Sequence, residues 1–178
     1  MATGRNEEEV PMSNATPREA AREMRMRYWN DSMGNIPFPV DPWEIADRIG
    51  IRVQPAPLNN NLAGFIIRED ADAPTEIYVN EQDHAVRQRF TVAHELGHFF
   101  RHKDDEDELG FVDERAELAQ AGTDPEEIWA NQFAAELLMP AAIVKKWWAE
   151  GMSVGELRRR FDVSSPAINN RLSSLGLI

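Results

Sequence analysis

The chain has 178 residues, of which 42% are hydrophobic and 28% charged, the proportions of a globular domain large enough for a core of its own. It has no cysteine, which excludes a disulfide framework and thiolate metal ligands, so any metal site must use histidine and carboxylate. A net charge of −12 argues against a surface devoted to nucleic acid, no apolar run approaches the length of a membrane span, and Met1 to Glu7 carries no signal-peptide core, so a cytoplasmic protein is expected.

Residues 1 to 15 are polar and acidic without periodicity and read as a disordered tail. Thr16-Pro17-Arg18-Glu19 has the grammar of a helix start, with Thr16 as N-cap, proline at the first position and Glu19 closing a capping box. That helix is expected to run to about Trp29. Asp41-Pro42-Trp43-Glu44 repeats the grammar and opens a short helix that Gly50 ends. Three strand-like runs follow at 51–53, 63–68 and 75–79, with the Asp/Pro-containing segment 69–74 as the turn of a hairpin between the last two. Asn80 is then placed to cap a long helix reaching about His102.

That helix contains Phe90-Thr91-Val92-Ala93-His94-Glu95-Leu96-Gly97-His98-Phe99-Phe100. His94 and His98 are four residues apart and share one helix face, so both imidazoles can reach a single zinc ion. Glu95 sits where a base can take a proton from water activated by that ion. This is the H-E-x-x-H pattern of metallopeptidases. Phe90, Ala93, Gly97 and Phe100 make one apolar stripe beside the histidines; Val92, Leu96 and Phe99 make another. A helix apolar on two sides is buried. Gly97 costs about 1 kcal/mol relative to alanine inside a helix, and close approach of the helix to the sheet behind it is the expected reason.

From Lys103 to Glu127 the chain is strongly acidic, eleven Asp and Glu against Lys103 and Arg115, and reads as a solvated loop with a short helix around Glu114 to Ala121. The Asp-Asp-Glu-Asp-Glu run lacks the spacing and the glycine of a calcium loop. Asp124-Pro125 starts a further helix, whose Ala130, Phe133, Ala134 and Leu137 recur at helical spacing and face the core. Glu127 and Asn131 share its other face. A zinc peptidase needs three protein ligands, and its imidazoles need acceptors behind them. Glu127 can be the third ligand and Asn131 the residue that orients one histidine. Glu126 is the fallback ligand.

Arg89 to His98, followed by Glu127-x-x-Ala130-Asn131-x-Phe133-Ala134-Ala135-x-Leu137-Leu138-Met139-Pro140, resembles the ImmA/IrrE family of zinc metallopeptidases over roughly residues 40 to 175. The resemblance implies His94, His98 and Glu127 as ligands and Glu95 as general base. It departs at Trp129, where many members carry an acidic residue two before the asparagine. It also implies a cytoplasmic protease whose target is a helix-turn-helix repressor, in phage-type or stress control.

After Pro140 a helix with Ile143, Val144, Trp147 and Trp148 runs to Gly151, and of the two adjacent tryptophans one is expected to be exposed or at a contact. Ser153 to Glu156 is a second capping box, opening a helix to Phe161; Asp162-Val163-Ser164 turns, and Ile168, Leu172 and Leu175 line a last helix stopped by Gly176. The pattern resembles a helix-turn-helix. Its charge is only mildly positive, so packing or substrate docking is expected over DNA binding. The expected organisation is a disordered tail (1–15), an α+β, zincin-like metallopeptidase domain with a small sheet against the metal helix (16–140), and a helix-turn-helix-like extension (141–178). The expected activity is zinc-dependent hydrolysis of a peptide bond in a regulatory protein. The alternative is a non-catalytic zinc-containing module that docks on a repressor or DNA through its C-terminal helices. Tyr78, His84 and His102 are candidates for a donor to the oxyanion, and nothing in the sequence chooses among them.

Overall fold

Helix α1, Pro17–Tyr28, begins at the capping box: the Glu19 amide donates to the Thr16 hydroxyl, and the Glu19 carboxylate accepts from the Thr16 amide and hydroxyl. Helix α2, Pro42–Arg48, starts where the Asp41 carboxylate accepts from the Trp43 amide, and Gly50, at φ +80°, ends it in a conformation that a side chain would strain. These elements belong to a computed structural model that describes residues 15–31, 33–68, 73–102 and 124–178. The expected disordered tail, apart from Ala15, and the expected short helix at 114–121 lie outside the described residues.

Strands β1 (Arg52–Ala56), β2 (Gly64–Ile67) and β3 (Glu76–Asn80) form one sheet in the order β1-β3-β2. β2 and β3 pair antiparallel, as the hairpin pattern predicts, while β1 runs parallel to β3. The two-residue alternation buries Ile66, Ile77 and Val79 on one face. Helix α3, Ala85–His102, packs on β2 and β3 across that face. The close approach is made by the strand: a Cβ on Gly64 would lie 2.5 Å from Thr91 Cγ2 and 2.5 Å from the Tyr78 carbonyl.

Two sequence expectations are corrected here. Asn80 does not cap α3. It ends β3, and its buried amide donates to the carbonyls of Leu58, Asn59 and Leu62 while its oxygen accepts from the Gln82 amide, so it ties the β1–β2 loop to the sheet. Gly97 does not face the sheet either. A Cβ there would lie 3.0 Å from Phe133 Cδ1 and 3.3 Å from Ala130 Cα, both on helix α4, Pro125–Leu138. Thr91 to Gly97 are all buried, so the reading of α3 as a helix covered on two sides holds, with the sheet on one and α4 on the other.

Helix α5 (Ala141–Ala149), α6 (Val154–Phe161) and α7 (Ser165–Ser174) complete seven helices among the described residues. α6 has the predicted capping box of Ser153 and Glu156, and Asp162, at φ 53°, makes the left-handed turn before Ser164 caps α7. Leu157, Phe161, Val163, Ile168 and Leu172 are buried in the same core as Ile45, Ile77 and Leu96. Of the two tryptophans, one of which was expected to be exposed or at a contact, neither is exposed. Trp147 is 8% exposed, its ring 5.3 Å from that of Phe38 and 4.9 Å from that of Phe161, and Trp148 is half-buried against the core. Trp147 continues the buried stripe of Ala141 and Val144, and the loop before α2 brings Phe38 against it.

One buried ionic group joins three helices. Glu136 of α4 pairs with Arg171 of α7, and Arg25 of α1 donates to the Glu136 carbonyl and lies 3.9 Å from its carboxylate. Burial pulls the Arg25 guanidinium down to about 10, with Glu136 opposing the shift. No described helix is long and apolar enough to cross a membrane.

Candidate metal centre

Helical spacing sets the first two side chains. His94 and His98, one turn apart on α3, place their Nε2 atoms 3.0 Å apart with ring centroids 4.7 Å apart. Glu127 reaches them from the first turn of α4: Oε2 is 3.3 Å from His94 Nε2 and Oε1 is 3.1 Å from His98 Nε2. The ligand atoms of all three lie within 4.8 Å of one another. His94 is 1% exposed and Glu127 7%, whereas the His98 side chain, at 12%, stands at the rim. α3 and α4 come this close because Gly97 presents no side chain to Ala130 and Phe133.

Asn131 lies one turn after Glu127, with its Oδ1 3.0 Å from His94 Nδ1. An amide oxygen only accepts, so Nδ1 is the donor, and the lone pair of His94 Nε2 is turned toward Glu127 and His98. Two imidazole nitrogens and a carboxylate then converge on one point. That donor set fits a borderline divalent cation, with three protein ligands and a position left for water or substrate. His94, His98 and Glu127 therefore form a group that could hold a metal ion.

Of the two adjacent glutamates, Glu127 is the one that lies beside both histidines. Glu126 points elsewhere, 2.7 Å from Arg101 Nη2 and 3.3 Å from His102 Nε2. Glu95 is 2% exposed on the turn between the two histidines. Among the three oxyanion candidates, Tyr78 leaves β3 on the face opposite Ile77 and Val79; its ring stacks on Phe65 and its hydroxyl donates to Glu76 at 2.8 Å. The sheet thus stands between Tyr78 and α3. His84 is exposed and precedes α3, about 15 Å of helix rise before His94. His102 alone lies on the α3–α4 side, one turn beyond His98 and bound to Glu126.

Sequence reasoning missed the lining beside Glu127. Arg101 pairs with Glu126 and stacks over Trp129 at 5.1 Å, and Trp129 stacks on Phe133 at 5.5 Å. The tryptophan that departs from the family pattern was the available signal.

A relative in Bacillus phage phi105, "Uncharacterized immunity region protein 2", is 31% identical over 107 residues, which cover 60% of this chain. The match spans 63% of that relative's length, so the two are compared over part of each. The sequence profile of the IrrE N-terminal-like domain matches residues 46–173, which include α3, α4 and nearly all of the C-terminal helix pair. On that match the chain belongs to the Peptidase_M78 family, a metallopeptidase-like family.

Proposed function

We propose that this chain is a zinc-dependent endopeptidase of zincin-like architecture that cuts a bond in one regulatory protein, a helix-turn-helix repressor. The observation that carries the reading is the convergence of His94, His98 and Glu127 with a buried carboxylate, Glu95, on the turn between the histidines. A purely structural site has no use for a base in that position. His94, His98 and Glu127 would hold the ion, and Asn131 fixes the tautomer of His94. A zinc ion held there supplies Lewis acidity and makes water a competent nucleophile near neutral pH. Glu95 accepts the proton of the attacking water at its carboxylate and delivers it to the nitrogen of the leaving amine. Burial strengthens each of these interactions by excluding solvent.

The immunity-region name of the phage relative supports a repressor as the target. So does charge. The acidic run from Asp104 to Glu127 joins α3 to α4 in sequence, and its charge favours a basic polypeptide over an acidic one. We place the protein in the cytoplasm, where such a substrate resides.

The test incubates the zinc-loaded protein with purified helix-turn-helix repressors, including any encoded by a neighbouring gene, and with casein, at low and high salt. Cleavage of the repressor, weakened by salt and absent with casein, is expected. Glu95→Gln should retain the metal and lose cleavage. Full activity in that variant removes Glu95 as base, and efficient casein digestion removes the specific target. Repressor binding without cleavage at any metal loading selects the docking module instead.

A further inference from the structure

The C-terminal helices meet both ligand-bearing helices through arginines. On the α3 side, Arg89 lies five residues before His94 and is 9% exposed; its Nη2 donates to the Val40 carbonyl at 2.7 Å and its Nε to the Asp162 carbonyl at 3.2 Å. The same Nε is 3.1 Å from Asp162 Oδ2, in the turn between α6 and α7. On the α4 side, Arg171 of α7 pairs with the Glu136 carboxylate, and its Nε donates to the Met139 carbonyl at 2.9 Å. Glu136 is five residues beyond Asn131 on one continuous helix. One end of the pair thus holds α3 and the other holds α4.

The geometry points to the α6–α7 pair as a brace of the metal centre: through Arg89–Asp162 and Glu136–Arg171 it sets the placement of α3 relative to α4, and so of His94 and His98 relative to Glu127. This inference rests on reading those three residues as a metal site. Helices are stiff along their axes, so a fixed contact near each ligand set determines where both sets stand. Hydrophobic packing alone resists separation but permits sliding and rotation by small amounts. A guanidinium fork that binds a carboxylate and a carbonyl together does not. Arg89, Asp162, Glu136 and Arg171 are therefore positioning residues, which touch neither metal nor substrate.

The test uses the full chain, stripped of metal and titrated with Co2+ alone. Affinity is read by competition with a chromophoric chelator, and coordination geometry by the visible absorption of the bound ion. Arg171→Met removes the fork while keeping a long apolar stem. Asp162→Asn removes only the ion pair, since asparagine tolerates the left-handed backbone there and the carbonyl acceptor remains. Thr16→Ala serves as a control that lowers stability by loss of a cap on α1. The brace predicts about a tenfold loss of Co2+ affinity and an altered absorption band for Arg171→Met, the low end for residues that support a ligand. A smaller change of the same kind is expected for Asp162→Asn, with Arg171→Lys between wild type and Arg171→Met and the control unchanged. Wild-type binding with every variant matching it in affinity and spectrum, whatever its melting point, overturns the brace alone. A wild-type chain that takes up no Co2+ overturns the metal reading and the brace with it. If Arg171→Met does not fold, Asp162→Asn decides.

Discussion

Glu126 and Glu127 are neighbours of the same chemistry, yet an α-helix turns their side chains about 100° apart. That rotation sends Glu127 to the two histidines and Glu126 to Arg101 and His102. The difference is testable by metal analysis. Glu127→Ala should abolish stoichiometric zinc binding, Glu126→Ala should leave it nearly intact, and Asn131→Ala should cost about 10–100-fold in affinity by releasing His94 from its tautomer. Equal loss in both glutamate variants would contradict the geometry. These residues were legible beforehand because their relation is helical and short-range: four positions between the histidines, four between Glu127 and Asn131. Asn80 was not. Its partners are carbonyls of a loop some twenty residues earlier, and a polar side chain before a helix reads as a cap until the loop is seen to fold over it.

Helices were easier to foresee than what they touch. Capping boxes and prolines mark where α1, α2, α6 and α7 start, since those signals act within one turn. Gly97 shows the opposite case, where the glycine was evident and its partner was not. Substituting it tests the α3–α4 contact. Alanine gains about 1 kcal/mol of helix propensity, while an extra methyl 3.0 Å from Phe133 and 3.3 Å from Ala130 overpacks the interface at a cost of about 1–3 kcal/mol. We expect overpacking to win. Urea unfolding of Gly97→Ala should show a net loss of about 1 kcal/mol, together with weaker metal binding because α4 is pushed outward. A stabilised variant with unchanged metal affinity would mean that the helices can part freely. The parallel pairing of β1 with β3 was likewise hidden, because it joins strands separated by a whole intervening strand.

At the scale of the molecule, the α+β class and the order of elements followed from periodicity, but the union of the C-terminal helices with the core did not. Periodicity tells that Leu157, Phe161, Ile168 and Leu172 share an apolar side, and not that the cover is the body of the protein. Truncating residues 152 to 178 to probe docking would strip those side chains from the core. Charge reversal at the exposed Lys145, Lys146 or Arg159 probes the surface instead.

The division of the ligands between two helices also has a thermodynamic side. An unfolded chain keeps His94 and His98 as near neighbours in sequence, but Glu127 joins them only once α4 has docked on α3. Metal would then bind the native state much more strongly than the unfolded one, and mass action ties the two equilibria. At a free-ion concentration a hundredfold above the dissociation constant, the native state gains about 2.7 kcal/mol. For a chain of this size that raises the melting temperature by about 5–10 °C. Calorimetry with zinc and with a strong chelator should show that difference, and Glu127→Ala should erase it; coincident melting curves for the wild type would refute the linkage. With such a coupling, the ambient supply of the ion governs the lifetime of the fold as well as its chemistry, and a cell starved of it would hold fewer copies of the protein.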